Sequence, residues 1–197
     1  MSIQSTLLPL ILASGSPRRK ELLHALGFPF VVQSSDVDES CDADLAPEAI
    51  VEELSLRKAN AVAAEKTSGL VLGSDTIVVL DNQVLGKPQD EAEAFRMLKS
   101  LTGREHVVFS GVALVDAASG RHEVAHSSTK VRMRPMSDEE ILAYIATKEP
   151  MDKAGAYAIQ GIGATIVEGI VGDYFTVVGL PLALTADLLK RFDLHVL

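Results

Sequence analysis

LILASGSPRRKE, residues 10–21, joins an apolar segment to a basic one through a tight polar turn. The almost wholly apolar run over residues 7–13 predicts a buried strand. Ser16 is a typical N-cap and Pro17 suits the first helical position, so a helix is predicted over residues 17–26. The chain therefore opens with a strand, a turn and a helix.

Three cationic side chains, Arg18, Arg19 and Lys20, follow that turn in the first turn of the predicted helix. The start of a helix already carries unpaired N–H groups and the positive end of the dipole, so the cations face repulsion there. A bound anion would remove this conflict, and phosphate is the usual one. The alternative is a surface helix with solvated arginines, because each charge costs only ~0.3–1 kcal/mol at an exposed site.

The composition limits the class of protein. A chain of 197 residues with 47% hydrophobic residues predicts one domain over residues 1–197. Two lobes around a cleft are the alternative arrangement. The net charge of −9 argues against broad nucleic-acid binding, which needs a basic surface. Cys41, the single cysteine, excludes an internal disulfide framework and a multi-cysteine zinc site. With no signal peptide and no 18-residue apolar segment, the sequence predicts a cytoplasmic protein without membrane contact.

The order of the predicted elements indicates the fold class. Helices and strands alternate in the first half and hairpins follow in the middle, which predicts an α/β fold with a mixed central sheet flanked by helices. The further strands are predicted near residues 29–34, 70–80, 84–85, 106–116, 122–134, 164–170 and 174–178, and the further helices over residues 47–66, 90–100 and 138–147 and from residue 181.

Residues 73–76, Gly-Ser-Asp-Thr, interrupt the strongly apolar strand predicted over residues 70–80. An ionised carboxylate at Asp75 is costly in such surroundings unless it has a partner. A metal ion or a proton-transfer role would each supply one. The alternative, that Asp75 caps a turn or bulge, fits this pattern equally well.

Two loops and one helix carry further charged candidates. Lys87, in Gly-Lys-Pro after a predicted hairpin, could offer a point charge to a phosphate, although it also reads as an ordinary turn lysine. Glu39 lies in the acidic loop over residues 36–44, and magnesium sites take one or two carboxylates plus phosphate oxygens. Most acidic loops are only solvated. Lys58, beside Arg57 in the long predicted helix, reads as a solvated cation.

DKAGAYAIQG, residues 152–161, combines charges, small residues and one amide. Small residues let the backbone approach a ligand closely, and Gln160 has both a donor and an acceptor with which to recognise the edge of a base. A glycine-rich connection between elements is the alternative. The histidines lack the spacing of a zinc site, and neither a Walker A pattern nor G-x-S-x-G is present.

Five segments, LASGSPRRKELL, GSDTIVVL, LGKP, DKAGAYAIQG and VVGLPL, together resemble the Maf family of nucleoside triphosphate pyrophosphatases over nearly the whole chain. DKAGAYAIQG is similar to the dTTP/UTP pyrophosphatase branch, although Ala158 stands where many members have glycine. The resemblance implies hydrolysis of a nucleoside triphosphate substrate to monophosphate and pyrophosphate with a divalent cation, Mg²⁺ or Mn²⁺. It also implies an elongated, two-lobed molecule with a cleft, similar to the inosine-triphosphate pyrophosphatases.

The resemblance also implies roles for individual residues. Asp75 would be the catalytic proton acceptor that activates water. Ser16 joins the phosphate-binding group because it starts the basic helix. The remaining roles are substrate specificity for Arg18, Thr76 and Gln160, phosphate binding for Ser14, Ser16, Arg19, Lys58, Lys87 and Lys153, and metal binding for Glu39, Asp75 and Asp152.

Two other classes of function stay open. A non-catalytic nucleotide-binding regulator of septum formation and cell division would bind the same ligands without needing Asp75. A nucleotidyl- or phosphotransferase would use the same basic helix start and carboxylates, but would require a second substrate. Removal of non-standard nucleotides is only an implication of the family. The sequence is compatible with a homodimer and does not fix the oligomeric state.

Overall fold

The computed structural model describes residues 9–42 and 45–197. The predicted strand residues 7–8 and the end of the predicted acidic loop, residues 43–44, lie outside that range. The described residues form strands β1 (Leu10–Leu12), β2 (Phe30–Val32), β3 (Leu70–Leu80), β4 (Gln83–Leu85), β5 (Glu105–Asp116), β6 (His122–Met133) and β7 (Val167–Val171). They also form helices α1 (Pro17–Ala25), α2 (Pro47–Ala63), α3 (Glu91–Leu101), α4 (Asp138–Ala146), α5 (Tyr174–Val178) and α6 (Leu182–Lys190).

The strands pair in the order β2-β1-β3-β5-β6-β7, and β4 pairs with β3. Strand β1 is parallel to β2 and β3, whereas the pairs β3–β4 and β6–β7 are antiparallel. The predicted α/β fold with a mixed central sheet and flanking helices is therefore confirmed. The predicted cleft and the likeness to inosine-triphosphate pyrophosphatases stay predictions.

The contacts within the chain define two compact units. The first unit comprises the chain up to Asp75, Gly111–His126 and Leu182–Leu197, and the second comprises Thr76–Ser110 and Ser127–Pro181. A buried cluster of the first unit is built from small and β-branched residues of α2 and the adjoining strands. The larger cluster of the second unit contains residues of α3 and α4, among them Tyr144, together with Tyr157.

Helix α2 packs directly onto the sheet of the first unit through two glycines. A Cβ atom at Gly73 would lie 2.2 Å from the carbonyl oxygen of Ser55, and one at Gly111 would lie 2.2 Å from that of Val51. No other side chain fits between helix and sheet at these points. This close approach brings the buried face of α2 against the segment of β3 that holds Asp75.

Two elements differ from the sequence predictions. Residues 73–76 do not interrupt β3, because the strand is continuous over Leu70–Leu80. Residues 174–178 form helix α5 rather than the predicted strand. Asp173 caps that helix by accepting the backbone N–H of Thr176 at 2.8 Å, which outweighs the strand preference of the β-branched and aromatic residues.

Within residues 9–42 and 45–197, no helix is both long and apolar enough to span a membrane.

Candidate functional site

The turn between β1 and α1 is held by its own serines. The Ser16 hydroxyl caps α1 by accepting the backbone N–H of Arg19, and Pro17 occupies the first helical turn, as predicted. The Ser14 hydroxyl accepts the backbone N–H of Ser16 at 3.2 Å and lies 3.4 Å from a guanidinium nitrogen of Arg19. The turn therefore directs Arg19 back over the start of the helix.

Lys58 lies between two carboxylates. Its Nζ atom is 2.6 Å from Oδ1 of Asp75 and 2.7 Å from Oε1 of Glu39. The Lys58 and Asp75 side chains are only 11% and 10% exposed, whereas that of Glu39 is 54% exposed. The prediction that Lys58 is a solvated helix cation is therefore wrong. The ion pair is the partner that a buried carboxylate in β3 requires.

The backbone of Asp75 is fixed from α2 as well. Its N–H donates to the Ser55 hydroxyl at 2.9 Å, and that hydroxyl donates to the carbonyl of Val51 at 2.6 Å. Oδ2 of Asp75 makes no hydrogen bond to any of the residues that the structure describes. One carboxylate oxygen is therefore held by Lys58, and the other is available to a ligand or a water molecule.

Arg57, the neighbour of Lys58 in α2, holds the loop that carries Glu39. Its guanidinium donates to the carbonyl oxygens of Asp38 and Ser40, the residues on either side of Glu39, the second at 2.9 Å. Arg57 also pairs with Glu53 one turn earlier in α2. Arg57 thus binds the backbone of the acidic loop, and Lys58, the next residue of α2, binds the Glu39 carboxylate.

The charges around Asp75 favour an anionic ligand. Burial lowers the pKa of the Arg19 guanidinium, Asp75 and Glu39 oppose that shift, and Arg18 adds to it. Arg18, Glu39 and Asp75 act on Arg19 in this way because all four side chains lie in one region of the first unit. Three cations, Arg18, Arg19 and Lys58, lie there with the carboxylates of Asp75 and Glu39. The structure thus brings together seven predicted residues, namely Ser14, Ser16, Arg18, Arg19, Glu39, Lys58 and Asp75.

Thr76, the next residue of β3, belongs to the second unit and to a chain of hydroxyls. Its Oγ1 lies 2.7 Å from Oγ of Ser110, which donates to the carbonyl of Thr176 at 2.7 Å. Since Ser110 has only one hydroxyl hydrogen, the Thr76 hydroxyl is the donor in the first of these bonds. The hydroxyl of Thr76 therefore has a defined direction.

The loop of Lys87 lies beside the DKAG segment in the second unit. The backbone N–H of Gly155 donates to the carbonyl of Gly86 at 3.0 Å. Gly155 has a φ of +68°, and a Cβ there would come within 3.0 Å of Val78, so both the conformation and the space demand glycine. Lys153 pairs with Asp152 and donates from Nζ to the carbonyl of Glu149 at 3.0 Å.

The amide of Gln160 has no hydrogen bond to any residue in 9–42 or 45–197. Its neighbours in the chain are held firmly. The Ala158 N–H donates to the Tyr144 hydroxyl at 3.1 Å, and the N–H groups of Ile162 and Gly163 donate to the Glu149 carboxylate at 3.0 and 2.8 Å. A fixed backbone thus carries a side-chain amide that is available to a ligand.

The carboxylates of the site fit a divalent cation that takes some of its ligands from the protein and the others from a phosphate. Magnesium takes one or two protein carboxylates when phosphate oxygens complete its shell. Glu39 and Asp75 already converge on one ammonium group. Asp152 belongs to the second unit. Among the described residues, no group of three or more His, Cys, Asp or Glu side chains could hold a metal ion by itself.

Four residues that contact the predicted site segments are not among the sequence predictions, namely Ser55, Arg57, Tyr144 and Glu149. A signal existed on α2, because Lys58 lies four residues after Leu54 and four before Val62, on the buried face of that helix. The same stripe includes Ser55. Tyr144 and Glu149 carry no local signal, since their partners are backbone amides of a later segment.

The chain is similar to known proteins over most of its length. Residues 9–192 match the family model described as Maf, Maf-like protein. A dTTP/UTP pyrophosphatase of Moorella thermoacetica is 55% identical over 187 residues, which is 95% of this chain and 96% of the relative. Proteins of the same name from Desulforamulus reducens and Symbiobacterium thermophilum are 48% and 54% identical, over 95% and 93% of this chain and 98% and 93% of their own lengths.

Proposed function

Because the chain belongs to the Maf family, we propose that it hydrolyses dTTP and UTP between the α and β phosphates. The products are the nucleoside monophosphate and pyrophosphate. The observation that carries the proposal is the buried Asp75 carboxylate, held 2.6 Å from Lys58 beside Arg19 and Glu39. The names of relatives that share about half of their residues with this chain supply the substrates.

Asp75 acts as the proton acceptor. The oxygen of a water molecule forms a bond to the α phosphorus, and the bond from that phosphorus to the bridging oxygen breaks. Pyrophosphate leaves, and a proton of the water passes to Asp75. Oδ2 suits this role, because Lys58 engages Oδ1 and the backbone bond to Ser55 fixes the position of the residue.

The phosphates bind the cationic side of the site. Ser14, Ser16, Arg19 and Lys58 supply hydroxyl and cationic donors from the turn and α2, and Lys87 and Lys153 supply charge from the second unit. An anion at the start of α1 also relieves the repulsion between the helix dipole and its arginines. Binding of the anionic phosphates explains why an acidic chain places three cations around two carboxylates.

A divalent cation, Mg²⁺ or Mn²⁺, bound by Glu39, Asp75 and Asp152 together with phosphate oxygens, would neutralise the charge that develops on the leaving pyrophosphate. Arg57 holds the Glu39 loop ready for this role through the carbonyls of Asp38 and Ser40. Lys58 contacts both carboxylates and holds Glu39 and Asp75 together.

Selection of the nucleotide rests on Arg18, Thr76 and Gln160. The Gln160 amide offers a donor and an acceptor, which match the N–H and carbonyl groups on the edge of thymine or uracil. A site that pairs polar groups in this way rejects other bases, since a mismatch leaves buried polar groups unpaired. The substrate class fits a cytoplasmic protein that acts on free nucleotides rather than on nucleic acid, alone or as a homodimer.

The test is the release of products from a panel of nucleoside triphosphates, including modified pyrimidines, with and without Mg²⁺ or Mn²⁺. We expect metal-dependent formation of monophosphate and pyrophosphate from dTTP and UTP, with purine nucleotides left largely intact. Binding without turnover would favour a regulator of septum formation and cell division. Turnover that appears only with a second substrate would favour a transferase.

A further inference from the structure

Tyr144, which is buried, and Glu149, which is half-buried, form a clamp on the segment that carries Gln160. Oε1 of Glu149 accepts the Gly163 N–H and the Tyr144 hydroxyl, at 2.8 and 2.9 Å, and Oε2 accepts the Ile162 N–H at 3.0 Å. The Tyr144 oxygen in turn accepts the Ala158 N–H at 3.1 Å. The clamp therefore holds the main chain on both sides of Gln160.

The backbone approaches the clamp closely at two glycines. Gly161 has a φ of +65°, and a Cβ atom there would lie 2.5 Å from Oε2 of Glu149. A Cβ at Gly163 would lie 2.2 Å from the carbonyl of Ala158 and 2.6 Å from the Tyr144 hydroxyl. The two glycines let the backbone close tightly around these side chains.

The chemistry of the clamp depends on an ionised carboxylate and a neutral phenol. Burial alone would raise the pKa of Glu149, but the N–H groups of Gly163 and Ile162, the Tyr144 hydroxyl and the charge of Lys153 together lower that pKa. Burial raises the pKa of Tyr144, and the nearby Glu149 adds to the shift, so the hydroxyl keeps its hydrogen. All three groups that face the carboxylate are donors.

We propose that Glu149 and Tyr144 are positioning residues for nucleotide selectivity, acting through the orientation of Gln160. This inference rests on the proposed function. Neither residue touches the nucleotide. They fix the backbone from which the Gln160 amide meets the edge of the base, and a small displacement of an oriented group is enough to weaken discrimination.

The variants Glu149→Gln and Tyr144→Phe test this role. Gln at position 149 replaces one acceptor oxygen with an NH₂ group that faces a donor, and Phe at position 144 leaves the Ala158 N–H without its acceptor. Ile141→Val is the matched control, since Ile141 lies in α4 within the same core and carries no polar contact. Circular dichroism checks that each variant is folded.

The readout is the ratio of kcat/KM for dTTP to kcat/KM for a purine nucleotide, measured in all variants. We expect the ratio to fall about tenfold in Glu149→Gln and in Tyr144→Phe and to stay unchanged in Ile141→Val. In a Gln160→Ala background, adding Glu149→Gln should change the ratio by less than about twofold, because the side chain being positioned is gone.

If the folded Glu149→Gln and Tyr144→Phe variants keep the wild-type kcat/KM ratio, this inference is wrong, although the proposed function still stands. The same conclusion follows if Glu149→Gln changes the ratio equally in the presence and in the absence of the Gln160 side chain. A wild-type protein that turns over no nucleotide would overturn both. Amide hydrogen exchange supplies a readout without nucleotide, since Glu149→Gln should lower the protection of Ile162 and Gly163. Unchanged protection would also contradict the clamp.

Discussion

The backbone N–H of Asp75 donates to the side-chain hydroxyl of Ser55, 2.9 Å away on α2. Ser55 precedes Lys58 by one helical turn, and Lys58 reaches the carboxylate of the same Asp75. The helix therefore holds both the main chain and the side chain of this residue. Glycines at 73 and 111 make this possible, because they let α2 approach the strands without an intervening side chain.

Gly73→Ala should destabilise the protein strongly. The new methyl group would lie 2.2 Å from the Ser55 carbonyl, so helix and strand must separate, at a cost of about 3 kcal/mol in the free energy of unfolding. Gly169→Ala is the control, because a Cβ there meets open space in β7. Chemical denaturation measures both. A Gly73→Ala protein as stable as the control would show that α2 does not pack here as described.

Asp75→Asn should abolish most turnover while nucleotide binding persists. The amide cannot accept the proton from water, and loss of a general base costs about 10²–10⁴-fold in rate. Asp81→Asn is a matched control, since Asp81 directly follows the same strand, its side chain is 67% exposed and its φ of +51° is one that asparagine tolerates. Pyrophosphate release and nucleotide titration separate turnover from binding. Substantial activity in Asp75→Asn would refute the assignment of the base.

Lys58→Met should destabilise the protein in the absence of metal. It leaves the Asp75 carboxylate nearly buried beside Glu39 without the ammonium that both contact, at a cost of about 3 kcal/mol. The double variant Lys58→Met with Asp75→Asn should recover part of that loss, since the buried charge is then removed. Denaturation of the four proteins gives the coupling free energy directly. Additive effects would mean that the ion pair contributes little to folding.

Much of the fold could be predicted from local patterns. Ser16 with Pro17 and the capping box of Ser137 with Glu140 mark the starts of α1 and α4, and both caps are observed. Apolar runs located β3 and much of β5. Asp173 shows the limit of such reasoning, because its capping bond turns a segment of strand-forming residues into helix α5. The hydrophobic periodicity of the segment does not reveal a single capping hydrogen bond of this kind.

The candidate site was predictable only where a motif carried it. Asp75 stood out as a charge in an apolar run, but that pattern suggested a break in the strand rather than a buried ion pair within it. The partner, Lys58, is 17 residues away and comes close only after α2 packs on β3. Glu149 was not predicted at all, because its role depends on backbone amides that lie 13 and 14 residues further on.

Arg57→Met should weaken the response to Mg²⁺ without removing Asp75, the carboxylate that we propose as the base. The variant loses the donors to the carbonyls of Asp38 and Ser40, so Glu39 is no longer held against Lys58. We expect the Mg²⁺ concentration for half-maximal activity to rise about tenfold, as for a residue that orients a metal ligand.

Arg96→Met is the control for Arg57→Met, because Arg96 is an exposed residue of α3. Amide exchange at Ser40 should also become faster in Arg57→Met and stay as in the wild type in Arg96→Met. If both variants keep the wild-type Mg²⁺ response, the loop does not depend on Arg57.

His106 should make stability depend on pH in the acidic range. It is 3% exposed, its Nε2 lies 2.7 Å from the Tyr157 hydroxyl, and its Nδ1 has no partner among the described residues. Burial lowers the pKa of His106 from 6.5 to about 4, so the unfolded chain binds a proton at a pH where the folded protein does not. This contribution to stability is complete above pH 6.5 and is lost as the pH falls toward 4, with a slope of about 1.4 kcal/mol per pH unit and a total of roughly 3 kcal/mol.

His106→Gln should flatten that part of the stability curve, because the amide keeps a polar contact with Tyr157 but does not titrate. His122→Gln is the control, since His122 is exposed at the start of β6 and should leave the slope unchanged. The free energy of unfolding, measured by denaturation at several values between pH 4 and 7, gives the three slopes. Equal slopes for the wild type and His106→Gln would mean that other groups cause the acid sensitivity.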